Sequence, residues 1–193
     1  MKAFSLWAAL GLLVGLGQAQ AQTADSADDL TGQIIHHLGQ VPQRTQSFHE
    51  EKEIAALTHP LFSTGVLVFH RPAYLEKNTQ TPHPENLVID GSMVSIQRGG
   101  GGIHHVPLAQ SPALALLVTT MRAPLEGDVA TLTRDYTLTA QGDLGAWTLS
   151  MAPASPQAVR LVRLVVLKGR NNAIESLKIT QANGDVQTLT LDP

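Results

Sequence analysis

The sequence predicts a mainly β fold with a few helices (α+β), in which about ten antiparallel strands follow one another in a meander that curls. Three observations support this prediction. Hydrophobic and polar residues alternate along most of the chain from Phe48 onward. Turn pairs such as Asp90-Gly91 and Asn183-Gly184 separate the alternating segments. Leu, Val, Ile and Thr, which suit pleated sheet faces, dominate over aromatic residues, which make up 4% of the chain.

The first 21 residues have the composition of a secretory signal peptide. Lys2 supplies a positive charge, an apolar run extends from Phe4 to Leu16, and Ala19-Gln20-Ala21 places small residues where signal peptidase reads them. The apolar run is too short for a membrane-spanning helix. We therefore expect cleavage after Ala21, export to the periplasm of a Gram-negative cell, and a single domain over residues 22–193.

Composition narrows the classes of function. The chain has a formal net charge of −3 at pH 7, which gives no electrostatic basis for binding nucleic acid. It has no cysteine, so an exported form would depend on packing without disulfide bonds. We expect a monomer that uses no cofactor and no metal.

Each predicted element has a local signal. Asp25 to Leu38 is predicted as an amphipathic helix that Gly39 and Pro42 end. Gly99 to Gly102 is predicted as a loop, and Pro112 to Met121 as a helix with Pro in its first turn and apolar residues around most of its circumference. The predicted strands are Gly65–Arg71, Tyr74–Thr79, Asn86–Asp90, Met93–Arg98, Tyr136–Ala140, Ala146–Ala152, Val159–Leu167, Ala173–Thr180 and Val186–Leu191.

No catalytic pattern stands out. Ser92 lies in no Gly-x-Ser-x-Gly turn, and the glycines at 99–102 are not followed by the Lys-Ser/Thr of a phosphate-binding loop. The adjacent pairs His36-His37 and His104-His105 point their side chains in different directions, so neither pair forms a metal chelate by itself. We expect no catalytic residues. A pair of carboxylates for acid–base chemistry stays open, since nothing in the sequence marks one pair over another.

The segment from Phe48 to Gln97 resembles the periplasmic outer-membrane lipoprotein carriers of the LolA type. The motifs are Gly65-Val-Leu-Val-Phe-His-Arg-Pro72 and Pro84-Glu-Asn-Leu-Val-Ile-Asp-Gly91, which match a family strand ending in Arg-Pro and a later Asp-Gly turn. Pro124-Leu-Glu-Gly-Asp128, Trp147 to Pro153 and the Asn183-Gly-Asp185 turn extend the resemblance over most of the chain. Each motif is short, and their order and spacing carry more weight than any one of them.

The resemblance implies a half-open antiparallel β-barrel that short helices cover on one side, with an apolar cavity for acyl chains. In the family, the Arg of Arg-Pro donates hydrogen bonds to the lid backbone in the closed state, and the resemblance gives this role to Arg71. The alternative for Arg71 is an ordinary surface charge at a strand end. The family also implies acylated lipoprotein as cargo, an inner-membrane ABC releasing complex as donor and an outer-membrane receptor as acceptor. The strand Met93-Val-Ser-Ile96 lacks the Trp and Tyr typical of the family, so another acylated or polyene lipid is equally open as cargo.

Alternation along the strands gives a set of cavity residues, with the caution that an error of one residue moves the whole set to the other face. The expected cavity residues are Val66, Val68, Leu75, Leu87, Ile89, Met93, Trp147 and Leu149. The predicted helix at 112–121 is either a lid over this cavity or a fixed core helix, and Trp147 is either a cavity contact or a packed core residue. The expected lid residues are Leu114, Leu117, Val118 and Met121.

Two other functions compete with a carrier. The chain can be a periplasmic binding or assembly module that grips a partner chain through an exposed sheet edge. A hydrolase on an antiparallel scaffold ranks last, because no nucleophile and base are marked.

Overall fold

The computed structural model describes residues 22–192, and the predicted signal peptide lies outside them. The predicted fold class is confirmed: eleven antiparallel strands form one sheet whose two edges do not join, with helices against it. The strands are β1 Gln43–Glu53, β2 Leu61–His70, β3 Tyr74–Thr81, β4 Glu85–Asp90, β5 Met93–Arg98, β6 Ile103–Pro107, β7 Tyr136–Asp143, β8 Ala146–Pro153, β9 Val162–Arg170, β10 Ala173–Gln181 and β11 Val186–Leu191. The helices are α1 Gln22–Gly39, α2 Pro112–Glu126, α3 Val129–Asp135 and α4 Pro156–Leu161, with a 3₁₀ turn at Leu108–Gln110.

The sheet consists of two meanders. One runs from β1 to β6 and the other from β7 to β11, and each strand pairs with its neighbour in sequence. The two meanders meet where β1 pairs with β11, with Phe48 opposite Leu191 and Glu53 opposite Val186. This order leaves β6 and β7 as the two edge strands.

The core lies between the concave face of the sheet and the helices. Ile34, Ile35 and Leu38 of α1 are fully buried, and Leu116 and Leu125 of α2 are nearly so. They pack in one cluster with concave-face residues of the strands, which include Phe48, Phe69, Ile89, Leu149 and Val165. Among the residues that the structure describes, no helix is both long and apolar enough to cross a bilayer.

Three local signals explain α2 and α3. The Ser111 side chain accepts a hydrogen bond from the Leu114 N–H at 3.3 Å, so α2 begins with Pro112 as its first residue. Helix α2 continues past the predicted end at Met121 to Glu126, where Gly127 takes the left-handed conformation with φ 78°. Asp128 then caps α3 through its side chain, 2.9 Å from the Thr131 N–H. The chain therefore stays helical through most of residues 124–135, and the next strand begins at Tyr136.

Four elements did not follow from the sequence pattern. Strand β1 carries polar residues at most of its concave positions, and β6 is short and exposed, so neither has an alternating apolar signal. Helix α3 begins at an Asp cap that was not recognised. Helix α4 occupies the first part of the predicted strand Val159–Leu167, because Ser155 caps a helix that begins at Pro156. The other predicted strands are present with bounds that differ by a few residues.

Candidate functional site

The concave face under α2 contains a small apolar cavity of about 40 Å³. Its walls come from β1, β2, β3, β9, β10, β11 and α2, so both meanders and the helix layer contribute. The lining residues are Arg44, Gln46, Leu67, Phe69, Leu75, Thr120, Met121, Leu125, Leu167, Ile174, Leu177, Leu189 and Leu191. The cavity is a gap between the sheet and the helix layer, and it is far smaller than ligand pockets, which have volumes of about 300–1,000 Å³.

The predicted cavity residues divide between the two faces of the sheet. Leu75 lines the cavity, and Leu87, Ile89, Leu149 and Trp147 belong to or pack against the same core. Trp147 is a packed residue whose indole N–H donates to the Asn171 carbonyl oxygen at 3.2 Å, with Gly169 directly beneath its ring. Lipid contact by any of these residues stays a prediction.

Val66, Val68 and Met93 are a correction. On β2 the residues that face the core are Gly65, Leu67 and Phe69, so Val66 and Val68 lie on the outer face. On β5 Val94 is fully buried, whereas Met93 is 38% exposed. The assignment was wrong by one residue on these two strands. On β2 the run from Val66 to Phe69 is apolar throughout and gives no alternation to fix the face. On β5 Val94 and Ile96 alternate with Ser95 and Gln97, and this alternation marks the core face that the assignment missed.

Helix α2 carries the predicted lid residues into the core. Val118 is buried, and Leu114, Leu117 and Met121 are partly buried and pack against the core cluster. Met121 also lines the cavity, together with Thr120 and Leu125, which the prediction did not include. The Thr120 hydroxyl donates to the Leu116 carbonyl oxygen at 2.8 Å and lies 2.6 Å from the Tyr136 hydroxyl, so the one polar side chain that α2 turns toward the cavity has its partners.

Arg71 lies where the helix layer ends. Its guanidinium donates to the carbonyl oxygen of Gly39, at the end of α1, and to that of Glu126, at the end of α2, the second at 3.5 Å. Carbonyl groups at a helix C-terminus lack partners within the helix and carry partial negative charge, so a cation is favourable there. Sequence resemblance predicted a contact with lid backbone for this residue, and its role as a latch stays a prediction.

Arg122 connects the same two layers in the opposite direction, from helix α2 to the sheet. The sequence analysis did not identify this residue. It lies on α2, and its Nη1 donates to the carbonyl oxygens of Gly91 at 2.8 Å and Ala73 at 3.3 Å, in the two turns that follow β4 and β2. Its Nε lies 2.7 Å from Glu126 Oε1 one helical turn away. Burial raises the pKa of Glu126 against the charge of Arg122. No sequence motif marks Arg122, because its partners are backbone atoms.

We call Arg71, Arg122 and the carbonyl groups they reach the arginine rim. The two side chains run in opposite directions, Arg71 from the sheet to the helices and Arg122 from the helix to the sheet. Close packing of Gly39 against Gly127 brings the ends of α1 and α2 together here, since a Cβ atom on Gly39 would lie 2.7 Å from the Gly127 Cα. The arginine rim therefore joins both helices to two strand turns at a single point.

The opposite end of the sheet holds a buried polar cluster, which consists of Glu50, Ser63, Lys77 and Gln187. The Glu50 carboxylate is 1% exposed and accepts from Lys77 Nζ at 2.6 Å, from Ser63 Oγ at 2.7 Å and from Gln187 Nε2. Burial would raise the pKa of Glu50, but the hydrogen bonds from Lys77 and Ser63 and the charges of Lys77 and Lys52 outweigh it and lower that pKa. Burial lowers the pKa of Lys77. Lys77 Nζ also lies 5.0 Å from the centre of the Phe48 ring.

A groove of about 910 Å³ opens above this polar cluster. Its walls include Leu61, Pro82, Pro84 and Phe62, and Phe62 is 64% exposed. In the part of the chain that the structure describes, no group of three or more metal-ligating side chains is close enough to hold a metal ion. His105 bonds through Nδ1 to Ser95 Oγ at 2.9 Å instead.

Comparisons with known proteins agree with the architecture. A family model described as "Outer membrane lipoprotein carrier protein LolA-like" matches residues 21–192. No curated protein sequence matches the chain.

Solved structures resemble the chain at low identity. A LolA superfamily protein from Nitrosomonas europaea is 9% identical with a TM-score of 0.43, and the match covers 86% of this chain and 91% of that one. A DUF1329 family protein from Desulfovibrio piger is 7% identical with a TM-score of 0.45, and the match covers 87% of this chain and 90% of that one. A chain in the MucA/MucB complex of Pseudomonas aeruginosa is 15% identical with a TM-score of 0.41, covering 86% of this chain and 55% of that one. On the match of the family model over nearly the whole of residues 22–193, this chain belongs to the LolA-like family of outer membrane lipoprotein carrier proteins.

Proposed function

We propose that this protein is a periplasmic carrier, not an enzyme, that shelters the acyl chains of a lipoprotein or another lipid between its sheet and its helix layer. The observation that supports this most is the arginine rim. Two cationic side chains, Arg71 and Arg122, join the helices to the sheet over an interior that is almost wholly aliphatic. The helices can separate from the sheet when a few hydrogen bonds of the rim are replaced by hydrogen bonds to water. The aliphatic walls beneath can then accept hydrocarbon in any orientation.

In this proposal, the small cavity belongs to a protein without cargo. A gap of about 40 Å³ holds no fatty tail, so loading requires α2 to move away from the sheet. The incoming chain would then lie between Leu67, Leu75 and Leu189 on the sheet and Met121 and Leu125 on the helix. Apolar side chains on both sides would remain covered by the cargo instead of by each other.

Magnitudes favour this exchange. Burying a C16 chain recovers on the order of 12 kcal/mol, at about 0.8 kcal/mol per CH₂. A hydrogen bond from a charged donor contributes about 1.5–3 kcal/mol, so one such bond from each arginine of the rim would resist opening by roughly 3–6 kcal/mol together. Cargo binding therefore exceeds the resistance of the rim, and the rim returns the helices to the sheet after release. If transport follows the route implied by the family resemblance, the cargo comes from an inner-membrane ABC releasing complex and passes to an outer-membrane receptor.

A pair of peptides tests the proposal. An N-palmitoylated peptide and the same peptide without the acyl chain are titrated into protein purified without detergent, and native mass spectrometry records the bound species. We expect a complex with the acylated peptide alone, and copurifying acyl species in untreated protein. Equal binding of both peptides would overturn the carrier, because the hydrocarbon would then contribute nothing.

One observation favours a second function, a binding module that adds a partner strand to a sheet edge. Strand β6 is an edge strand, and Ile103 at its start is 55% exposed. This module predicts binding of the unacylated peptide and its loss when His105→Pro removes a backbone donor that β6 turns away from β5. Equal binding of the two peptides above, with that loss, would support the module over the carrier.

A further inference from the structure

The cavity wall contains one cation without an anionic partner, Arg44. On β1 the residues Arg44, Gln46 and Phe48 share the concave face, and Arg44 and Gln46 both line the cavity. The rest of the lining is apolar apart from Thr120, whose hydroxyl has its partners within the protein. Gln46 Nε2 donates to the Asp192 carbonyl oxygen at 3.0 Å, so the unsatisfied polarity of the lining belongs to Arg44.

The bonding of Arg44 is incomplete. Nη2 donates to the Leu38 carbonyl oxygen near the end of α1 at 3.3 Å, while Nε is buried and has no acceptor. No acidic side chain pairs with Arg44 among residues 30–192. Burial also lowers the pKa of this guanidinium. A half-buried cation with an unused N–H lowers stability unless a ligand supplies the acceptor.

A structural role explains only part of this arrangement. One bond to a helix-end carbonyl suits a cation, but a fully aliphatic residue would close the cavity without burying a charge. Arg71 and Arg122, the two arginines of the rim, do not line the cavity. Arg44 is therefore the one cation among the lining residues of this cavity, and its buried Nε has no acceptor.

We propose that Arg44 binds the anionic head of an amphiphilic cargo, a carboxylate or phosphate carried on a hydrocarbon chain. This inference rests on the proposed carrier function and specifies its cargo. An anionic oxygen group beside Nε and one Nη would receive two parallel charge-assisted hydrogen bonds, which a guanidinium offers and an ester or amide oxygen matches poorly. The aliphatic side chains of four lining residues would hold the tail, namely Leu67, Leu75, Leu177 and Leu189. Amide- and ester-linked acyl groups carry no charge, so a neutral lipid anchor would leave Arg44 unpaired.

Three ligands with the same hydrocarbon chain test the proposal. Palmitate, hexadecyl phosphate and 1-hexadecanol are used below their aggregation limits to displace the neutral dye N-phenyl-1-naphthylamine from the protein. We expect at least one of the two anions to bind roughly 10–100-fold more tightly than the alcohol, which is the range for charge-assisted bonding. A preference for palmitate would indicate a fatty acid as the source of the head group, and a preference for hexadecyl phosphate would indicate a phospholipid.

Two variants locate the effect. Arg44→Met removes the charge with little loss of volume, and we expect it to abolish the preference for the anion while binding 1-hexadecanol as the native protein does. Arg163→Met is the matched control, because Arg163 also donates to a backbone carbonyl oxygen, that of Ala182 at 2.9 Å, but does not line the cavity, and it should keep the preference. Arg44→Gln repeats the test with a polar side chain, and thermal unfolding without ligand checks that each variant folds.

The outcomes separate the two proposals. Equal affinity of the native protein for all three ligands, or a preference for the anion that survives in Arg44→Met and Arg44→Gln, would overturn the role of Arg44 and leave hydrocarbon binding intact. Failure of all three ligands to displace the dye or to raise the unfolding temperature would overturn the carrier itself.

Discussion

Arg122 on α2 donates to the Gly91 carbonyl oxygen at 2.8 Å, in the turn that joins β4 to β5. This bond runs from helix to sheet, whereas the bonds of Arg71 run from sheet to helix. The helix layer is therefore held at the same rim by two side chains that also share Glu126, whose carbonyl oxygen accepts from Arg71 and whose carboxylate pairs with Arg122.

We expect Arg71→Leu and Arg122→Leu each to ease opening and to raise the affinity for an acylated peptide by about tenfold, since one lost bond of about 1.5–3 kcal/mol shifts the balance toward the open form. The double variant should bind more tightly still and release its cargo more slowly to vesicles. Fluorescence anisotropy with a palmitoylated, dye-labelled peptide measures both effects.

Arg163→Leu is the matched control for these variants. Arg163 also donates to a backbone carbonyl oxygen, that of Ala182 at 2.9 Å, but it lies on β9 away from the rim. It should leave cargo affinity unchanged. Unaltered binding and release in both rim variants would remove the arginine latch from the mechanism.

The contact of Gly39 with Gly127 gives a second way to disturb the rim. A methyl group at Gly39 would lie within 3.1 Å of Gly127 and of the Glu126 carbonyl oxygen, so Gly39→Ala must push the ends of α1 and α2 apart. We expect a loss of about 1–3 kcal/mol in the free energy of unfolding, measured by urea denaturation, and faster cargo uptake.

Gly32 on the same helix provides the comparison. No atom lies within 4 Å of a Cβ built there, so Gly32→Ala should stabilise α1 by about 0.5–1 kcal/mol and leave uptake unchanged. Equal effects of the two substitutions on stability would show that the close approach at Gly39 is unimportant.

The buried ion pair of Glu50 with Lys77 predicts a loss of stability in acid. The pKa of Glu50 in the folded protein lies below its usual value, so its contribution is complete above the unfolded-state pKa and is lost as pH falls through the folded-state pKa. Lys77 stays protonated in both states over that range, so its lowered pKa does not affect the slope. We expect thermal unfolding temperatures to fall more steeply between about pH 5 and about pH 3 in the native protein than in Glu50→Gln.

Replacement of the partners one at a time separates charge from packing. Glu50→Gln leaves Lys77 buried without an anion and should cost about 3–5 kcal/mol at neutral pH, whereas Glu50→Gln with Lys77→Met should recover much of that loss. Glu85→Gln, which breaks the more exposed pair with Arg98, should cost no more than about 1 kcal/mol. A double variant as unstable as Glu50→Gln alone would contradict this account.

The hydroxyl groups of Thr120 and Tyr136 form a buried pair 2.6 Å apart between α2 and β7. Tyr136→Phe leaves Thr120 bonded to the Leu116 carbonyl oxygen and should cost about 1 kcal/mol. Thr120→Val leaves the Tyr136 hydroxyl buried without a partner and should cost more, about 1–3 kcal/mol. Chemical denaturation of both single variants and the double variant measures the coupling, and equal costs for the two single changes would argue against it.

Sequence reasoning succeeded where a local signal decides the structure. The Asp90-Gly91 turn fixes the hairpin of β4 and β5, with Gly91 at φ 53°, and the Pro112 start of α2 follows from Ser111. It failed where the deciding contact is distant in sequence. Arg122 and Arg44 look like surface charges until their partners, the carbonyl groups of Gly91 and Leu38, are brought beside them by the fold.

Strand faces show the same limit. Leu75 and Ile89 are buried, and a polar residue flanks each of them on at least one side, so the pattern indicates their face. Val66 and Val68 lie in an unbroken apolar run, in which either face is acceptable. The pairing with β1 determines which face of β2 is concave. Phe48 lies opposite Gly65, and the Gly65 position has no room for a side chain. That pairing joins two strands whose sequences carry no signal for each other.

The position of β1 beside β11 has a consequence for how the chain folds. Strand β1 is among the first strands to emerge during synthesis, yet its second neighbour is the last, so one of its edges waits unpaired until nearly the whole chain is available. A waiting edge of apolar residues would invite aggregation. Apart from Phe48, every side chain of β1 from Arg44 to Glu53 is charged or polar. We expect this composition to keep the edge soluble during the delay, so that the residues that make β1 hard to recognise as a strand also protect it before the sheet is complete.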